Sequence, residues 1–197
     1  MKRLFAAIKT TPGEHALATY YALKGELQRE RINWVVPENF HITLKFFGNT
    51  PAEKIDAIDA LLGPLADKYM PFQLQLAKTG VFGSRYAPRV IWFGFDREDL
   101  LKNLGDEVLD TLDQGGFARD RQNFVPHLTI ARIKEISNKK LFQAAIERKA
   151  HFEPDTITVQ EMILYESILK KEGPVYLPLR TYLFNGVKSG DHQMAAT

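Results

Sequence analysis

The feature that most constrains the fold is a short pattern that occurs twice, each time followed by a helical segment. Residues 41–62 read HITLKFFGNTPAEKIDAIDALL, and residues 127–146 read HLTIARIKEISNKKLFQAAI. Each segment begins with apolar residues at the spacing of a β-strand and continues with apolar residues at helical spacing. A self-similar pair of this kind predicts two similar lobes packed around a pseudo-twofold axis.

The remaining segments complete an α+β pattern. A strand is predicted at residues 3–8, and a helix follows it because Thr11 and Pro12 are typical of a helix start. Further strands are predicted at 71–82, 88–95, 155–169 and 174–184, with a helix at 96–116. Residues 1–184 are therefore expected to form one bilobed domain, and the polar residues 185–197 a flexible C-terminal tail.

Composition and charge exclude several classes of function. The 197 residues are 45% hydrophobic and carry a net charge of +2, so a strongly basic surface for duplex nucleic acid is not expected. The chain contains no cysteine, which excludes disulfides, thiolate nucleophiles and cysteine-ligated zinc. The apolar run near the start is too short for a signal peptide or a membrane span, and we expect a cytoplasmic protein.

Each repeated motif places a histidine and a threonine on the same face of a strand. His41 and Thr43 are two residues apart, as are His127 and Thr129. An imidazole exchanges protons near neutral pH, and a threonine hydroxyl is a good donor to a phosphate oxygen. Two such pairs facing each other would hold one phosphoryl group, with one histidine activating water and the other protonating the departing oxygen, and this acid–base chemistry needs no metal.

The motifs "HITLKFFG" and "HLTIAR", together with the opening "RLFAAI" and a late "LYES", resemble the two-histidine (2H) phosphoesterases. The similarity is strongest to their RNA 2′,3′-cyclic phosphodiesterase branch, also called 2′-5′ RNA ligases. The resemblance implies two antiparallel-rich sheets flanked by helices, with the active site in a central groove. It further implies that a 2′,3′-cyclic phosphate at an RNA end is opened to a 2′-phosphate. His41 would be the proton donor to the 3′ oxygen, His127 the proton acceptor, and Thr43 and Thr129 the phosphate-binding hydroxyls.

Three further residues are candidates for substrate binding. Arg132 ends the second motif and could pair with phosphate or stack on a base, but strict alternation from His127 places it on the opposite face, so a role in the site depends on a bulge or on the end of the strand. Of the two adjacent phenylalanines that end the first motif, one is expected in the core, and we assign the other, Phe47, as a stacking surface for a base. Lys45 is expected on the His41 face, where it would add positive potential.

Other polar residues receive weaker interpretations. Tyr165 and Tyr176 are placed at the rim of the groove or in the core, and the basic cluster in and near the last helix is a solvated face or a guide for RNA. This cluster comprises Lys134, Lys139, Lys140, Arg148 and Lys149. The remaining histidines, His15, His151 and His192, have no metal-ligand spacing. We expect no metal or other cofactor, no protein partner and a monomer whose substrates are RNA ends or nucleotides.

Two alternatives stay open on the sequence alone. The chain could be a non-catalytic module that binds RNA or nucleotides in the same groove. It could also be a 2H phosphodiesterase for 2′-5′ oligoadenylates or small cyclic nucleotides, and the same site could join an RNA cyclic phosphate to a 5′-hydroxyl. The site residues are the same in each enzymatic case, so substrate trials must separate them.

Overall fold

The computed structural model describes residues 1–119, 123–171 and 173–186, which form nine strands and four α-helices. The strands are β1 (Lys2–Lys9), β2 (Arg31–Trp34), β3 (His41–Thr50), β4 (Phe72–Gly83), β5 (Pro88–Phe95), β6 (Leu128–Glu135), β7 (His151–Val159), β8 (Glu161–Lys170) and β9 (Gly173–Leu183). The helices are α1 (Glu14–Glu26), α2 (Ile55–Asp67), α3 (Asp99–Gln114) and α4 (Lys139–Arg148).

The strands form two antiparallel sheets whose orders correspond to each other. The first sheet has the order β3-β1-β8-β9, and the second has the order β2-β6-β5-β4-β7. If β2 is set aside, the two orders match strand by strand. The H-x-T strand is at one edge of each sheet (β3 or β6), and next to it lies the strand that precedes a helix crossing to the other lobe (β1 before α1, β5 before α3). Two more strands complete each sheet. The predicted α+β fold with two related lobes is confirmed.

The helices tie the lobes together. Helices α2 and α3 cover the first sheet through contacts with β9 and β3, while α1 contacts β7 of the second sheet and also α4. Helix α1 follows a strand of the first sheet, and α3 follows a strand of the second, so each crosses to the opposite lobe. One hydrophobic cluster includes Leu4 of β1, Leu62 of α2 and Phe93 of β5, and the burial of each such side chain contributes about 1.5–3 kcal/mol.

The start of α1 differs from the prediction because a distant carboxylate caps it. The helix begins at Glu14, and its N-cap residue, Gly13, offers no side chain. Instead the buried Asp155 of β7 accepts hydrogen bonds from the backbone N–H groups of Ala16 at 2.7 Å and His15 at 3.4 Å. A Cβ atom at Gly13 would lie 2.4 Å from the Asp155 carboxylate, so this close approach requires glycine.

The single strand predicted for residues 155–169 is wrong, because Gln160 separates β7 from β8 and these strands belong to different sheets. The short strand β2 was not predicted. At the C-terminus, the side-chain amide of Asn185 donates a hydrogen bond to Asp67, and the backbone N–H of Gly186 donates one to the carbonyl oxygen of Tyr69. Residues 187–197 lie outside the described residues.

Candidate active site

The two motif histidines occupy equivalent places in the two lobes. His41 is the first residue of β3, and His127 immediately precedes β6. These two strands contact each other although they belong to different sheets. His127 and Thr43, one residue from each motif, line the same cleft of about 1290 Å³. The structure therefore brings the two motifs to a common cavity.

Both imidazoles are held by the same backbone hydrogen bond. Nδ1 of His41 lies 2.7 Å from the carbonyl oxygen of Asn39, and Nδ1 of His127 lies 2.7 Å from the carbonyl oxygen of Val125. A carbonyl oxygen only accepts, so in each ring Nδ1 carries the hydrogen and donates it. Nε2 is consequently the nitrogen left for proton exchange in both lobes, and the tautomer of each neutral ring is fixed.

Aromatic rings pack edge-on against each imidazole. The ring of Tyr176 lies 5.1 Å from His41 at an interplanar angle of 85°, and Phe82 lies 4.8 Å from His127 at 87°. Phe5 adds a second contact to His41 at 5.0 Å. These contacts restrict ring rotation, which leaves each Nε2 with a defined direction. The sequence interpretation did not find Phe5 or Phe82, although both lie on predicted strands.

The electrostatic environment lowers the pKa of both histidines. Burial is the largest cause in each ring, because it disfavours the charged imidazolium. The backbone carbonyls of Asn39 and Val125 act in the opposite direction, and the Arg132 guanidinium lowers both pKa values further. His127 also lowers the pKa of His41, as the smallest of the causes that act on that ring.

A β-bulge follows the threonine in each motif and changes which later side chains face the site. In the pairing of β1 with β3, Thr43 stands opposite Ala7 and Lys45 opposite Ala6, so Leu44 is an extra residue. In the pairing of β5 with β6, Ile130 is extra in the same way. Bulges of this kind shift the alternation by one residue beyond the extra position.

The second bulge decides the position of Arg132. It stands opposite Val90, and Thr129 stands opposite Trp92, two positions away on β5, so Arg132 and Thr129 share a face. The bulge that could bring Arg132 to the face of the site is therefore present in this strand. Its side chain is exposed, and it influences the pKa of His41, His127 and Tyr176.

The first bulge overturns two expectations. Lys45 stands opposite Ala6, whose side chain lies in the core, and not on the His41 face. Its side chain is only 4% exposed, and Nζ donates to the carbonyl oxygen of Ala118 at 2.7 Å. Phe47 packs against the core and contacts Phe117, so its assignment as a stacking surface is wrong. Phe46 is the exposed ring, and it stands opposite Phe5 on the site face.

The two tyrosines lie beside His41. Tyr165 is buried and stacks on Phe5 at 5.2 Å, whereas Tyr176 is partly exposed. Together with His41 and Lys9, both tyrosines line a small cavity of about 130 Å³. Both interpretations from the sequence therefore apply: Tyr165 is packed in the interior, and both tyrosines line the cavity beside His41.

The other histidines that the structure describes, His15 and His151, are exposed. In the described part of the chain, no cluster of three or more His, Asp or Glu side chains has an arrangement that could hold a metal ion. Within the same residues, none of the helices has the length and apolar character needed to cross a bilayer.

Two lobes that each contribute one residue of an H-x-T motif to a shared cleft, Thr43 from the first and His127 from the second, are the arrangement of a two-histidine phosphoesterase. Comparison with known protein families agrees with this class. The sequence model of the family described as LigT-like phosphoesterase matches residues 8–92 and 95–176. The chain belongs to this family.

Similar proteins and structures extend the comparison. The chain is 34% identical over 157 residues to an RNA 2′,3′-cyclic phosphodiesterase of Geobacillus stearothermophilus, a match that covers 80% of this chain and 49% of that protein. It is 36% identical over 149 residues to an RNA 2′,3′-cyclic phosphodiesterase of Archaeoglobus fulgidus, covering 75% of this chain and 81% of the relative. The crystal structure of TT0787 of Thermus thermophilus superposes with a TM-score of 0.72 at 25% identity, over 93% of this chain and 98% of that one.

Proposed function

We propose that this protein hydrolyses 2′,3′-cyclic phosphates at RNA ends to 2′-phosphates, by two-histidine acid–base catalysis without a metal. The observation that carries the proposal is the matched pair of imidazoles, each with Nδ1 committed to a backbone carbonyl and Nε2 available. Binding alone does not require two proton carriers with fixed tautomers. The names of the relatives, RNA 2′,3′-cyclic phosphodiesterases, supply the substrate class.

The reaction follows from the two available nitrogens. Nε2 of neutral His127 accepts a proton from water as the water oxygen bonds to phosphorus. The bond from phosphorus to the 3′ oxygen breaks, and Nε2–H of protonated His41 donates its proton to that oxygen. The products are a 2′-phosphate and a 3′-hydroxyl, with His41 neutral and His127 protonated, and proton exchange with solvent restores the starting state.

The threonines and Arg132 act on the phosphoryl oxygens. In this proposal the Thr43 and Thr129 hydroxyls donate hydrogen bonds to the two non-bridging oxygens, one from each lobe. The Arg132 guanidinium, on the same face as Thr129, stabilises the negative charge that grows on these oxygens. The same arrangement accepts a 5′-hydroxyl in place of water, which would give a 2′-5′ linkage, but water is far more abundant.

The test is incubation of RNA ending in a 2′,3′-cyclic phosphate with the wild-type protein in the presence of EDTA. Phosphorus NMR identifies the product as a 2′- or 3′-phosphate. Replacement of His41 or His127 by alanine should lower the rate roughly 10²–10⁴-fold each. His151→Ala is the matched control, because that histidine is exposed at the start of β7 and should not affect the rate.

Two outcomes would contradict the proposal. Loss of activity in EDTA would reject metal-independent catalysis, and a 3′-phosphate product would reject the assigned leaving oxygen. A parallel trial with 2′-5′ oligoadenylates and cyclic mononucleotides separates the alternatives within the same class. Tight binding of RNA ends without turnover would support the non-catalytic alternative.

A further inference from the structure

A second groove adjoins the catalytic cleft on the second lobe. Its volume is about 680 Å³, and it is lined by residues of the turn between β4 and β5, of the start of β5, and of the end of β6 through the start of α4. Three residues, Ala87, Arg89 and Val90, line both this groove and the cleft that contains Thr43 and His127. The groove therefore continues directly from the catalytic site.

The lining of the groove is positively charged. Arg89, Arg132, Lys134 and Lys139 all contribute to it. Within the described residues, none of these four side chains makes an ion pair or a side-chain hydrogen bond, in contrast to Arg148 of α4, which pairs with Glu26. The one carboxylate in the lining, Glu135, is compensated by Arg31 at 2.8 Å. Unpaired cations along a groove favour a polyanion.

An exposed aromatic ring completes the surface. Tyr86, in the turn before β5, lines the groove and is 80% exposed. Proteins that bind single-stranded nucleic acid combine two elements: cations along the phosphate backbone, and aromatic side chains on which the bases stack. The catalytic cleft alone, at about 1290 Å³, already exceeds the roughly 300–1000 Å³ of a typical small-molecule pocket.

We propose that this groove binds the single-stranded RNA segment on the 5′ side of the cyclic phosphate, so that the protein selects RNA ends over cyclic mononucleotides. The inference rests on the proposed function, because the cyclic phosphate must lie between the two histidines. Of the basic cluster identified in the sequence, only Lys134 and Lys139 line the groove and are assigned to RNA binding. The other three members, Lys140, Arg148 and Lys149, are not part of its lining.

The test compares kcat/KM for a 2′,3′-cyclic mononucleotide with kcat/KM for single-stranded oligonucleotides of increasing length that end in a cyclic phosphate. The wild type should prefer the longer substrates. The variant Lys134→Ala/Lys139→Ala should lose most of that preference and hydrolyse the mononucleotide at the wild-type rate. The dependence of log kcat/KM on log salt concentration should become shallower by about 0.7 for each cation removed.

Two matched controls sharpen the test. Lys140→Ala removes the same charge from the next residue of α4, and it should leave the length preference unchanged. Tyr86→Ala should lower kcat/KM for oligonucleotides about five- to tenfold, whereas Tyr86→Phe should retain it, because the ring and not the hydroxyl stacks.

The outcomes distinguish the two proposals. If the mononucleotide is hydrolysed but length brings no gain, or if Lys140→Ala acts like the groove variant, the groove inference is overturned while the proposed function stands. If neither substrate is hydrolysed, the proposed function itself fails. Length preference that disappears only in the groove variants supports the inference.

Discussion

The assignment of acid and base can be tested by removing the need for the acid. In the proposed reaction Nε2–H of His41 protonates the 3′ oxygen, a poor leaving group. A cyclic substrate with sulfur at the bridging 3′ position needs no such help, since a thiol ionises near pH ~8.5 and the thiolate leaves without a proton. The variant His41→Asn is suitable, because its amide nitrogen can replace Nδ1 in the hydrogen bond to the Asn39 carbonyl while Nε2 is lost.

The expected magnitudes follow from general acid catalysis. On the oxygen substrate His41→Asn should lower kcat by about 10²–10⁴-fold, which corresponds to about 3–5 kcal/mol. On the sulfur substrate the same variant should lose less than about tenfold, because proton donation no longer matters. His127→Asn should lower both rates by similar factors, since both substrates still require activated water.

The assay is stopped-flow or quenched kinetics with both substrates at saturation, with thiol release followed by a disulfide reagent. Equal losses for His41→Asn on the two substrates would refute its role as the acid. A selective rescue of His127→Asn by sulfur would show that the two roles are reversed.

Three further predictions concern the residues around the site. Replacing Arg132 by glutamine removes a positive charge that lowers the pKa of both histidines. The acidic and the basic limb of the pH profile of kcat/KM, which report these two pKa values, should therefore both move to higher pH, while Arg132→Lys should keep them near the wild type. Limbs that do not move in Arg132→Gln would contradict the electrostatic account. Asp155→Ala should reduce the free energy of unfolding by about 2 kcal/mol, because it removes the carboxylate that caps α1. Urea denaturation measures this loss, and Asp155→Asn should be intermediate. An unchanged denaturation midpoint in Asp155→Ala would show that the carboxylate does not stabilise the helix. Phe47→Ala should cost about 2 kcal/mol of stability, less than the roughly 3–5 kcal/mol of a fully buried phenylalanine because Phe47 is only partly buried. Phe46→Ala removes an exposed ring that lies under the Arg3 guanidinium and should cost less than about 1 kcal/mol. Equal costs would contradict the placement of Phe47 against the core and of Phe46 on the surface.

The sequence could predict that His41 lies on the face of Thr43, because that relation depends only on the local period of a strand, and in the structure the two residues stand opposite Lys9 and Ala7 of β1. The same relation between His127 and Thr129 stays a prediction, since His127 precedes β6. His41 with Thr43 and His127 with Thr129 are two residues apart, and no partner strand is needed to place them on one face. The duplication of the strand and helix likewise predicted two corresponding lobes. These are short-range patterns whose consequences are the same in any antiparallel sheet.

The sequence could not reveal what happens after each threonine. Leu44 and Ile130 become extra residues only through pairing with β1 and β5, which are distant in the chain. That register places Arg132 on the site face and moves Lys45 away from the His41 face. The same limit applies to α1, whose cap is Asp155, a residue about 140 positions away in the sequence. No local start signal could have identified it.

The central claim is that the imidazoles of His41 and His127 act on one phosphorus atom, and NMR of ¹⁵N-labelled histidine during titration with a nucleoside 2′-phosphate product tests it most directly. We expect the Nε2 resonances of both rings to shift together and saturate at one dissociation constant, while both Nδ1 resonances keep the signature of a nitrogen that donates to a carbonyl. Movement of only one ring, or two rings that saturate at different concentrations, would contradict the account.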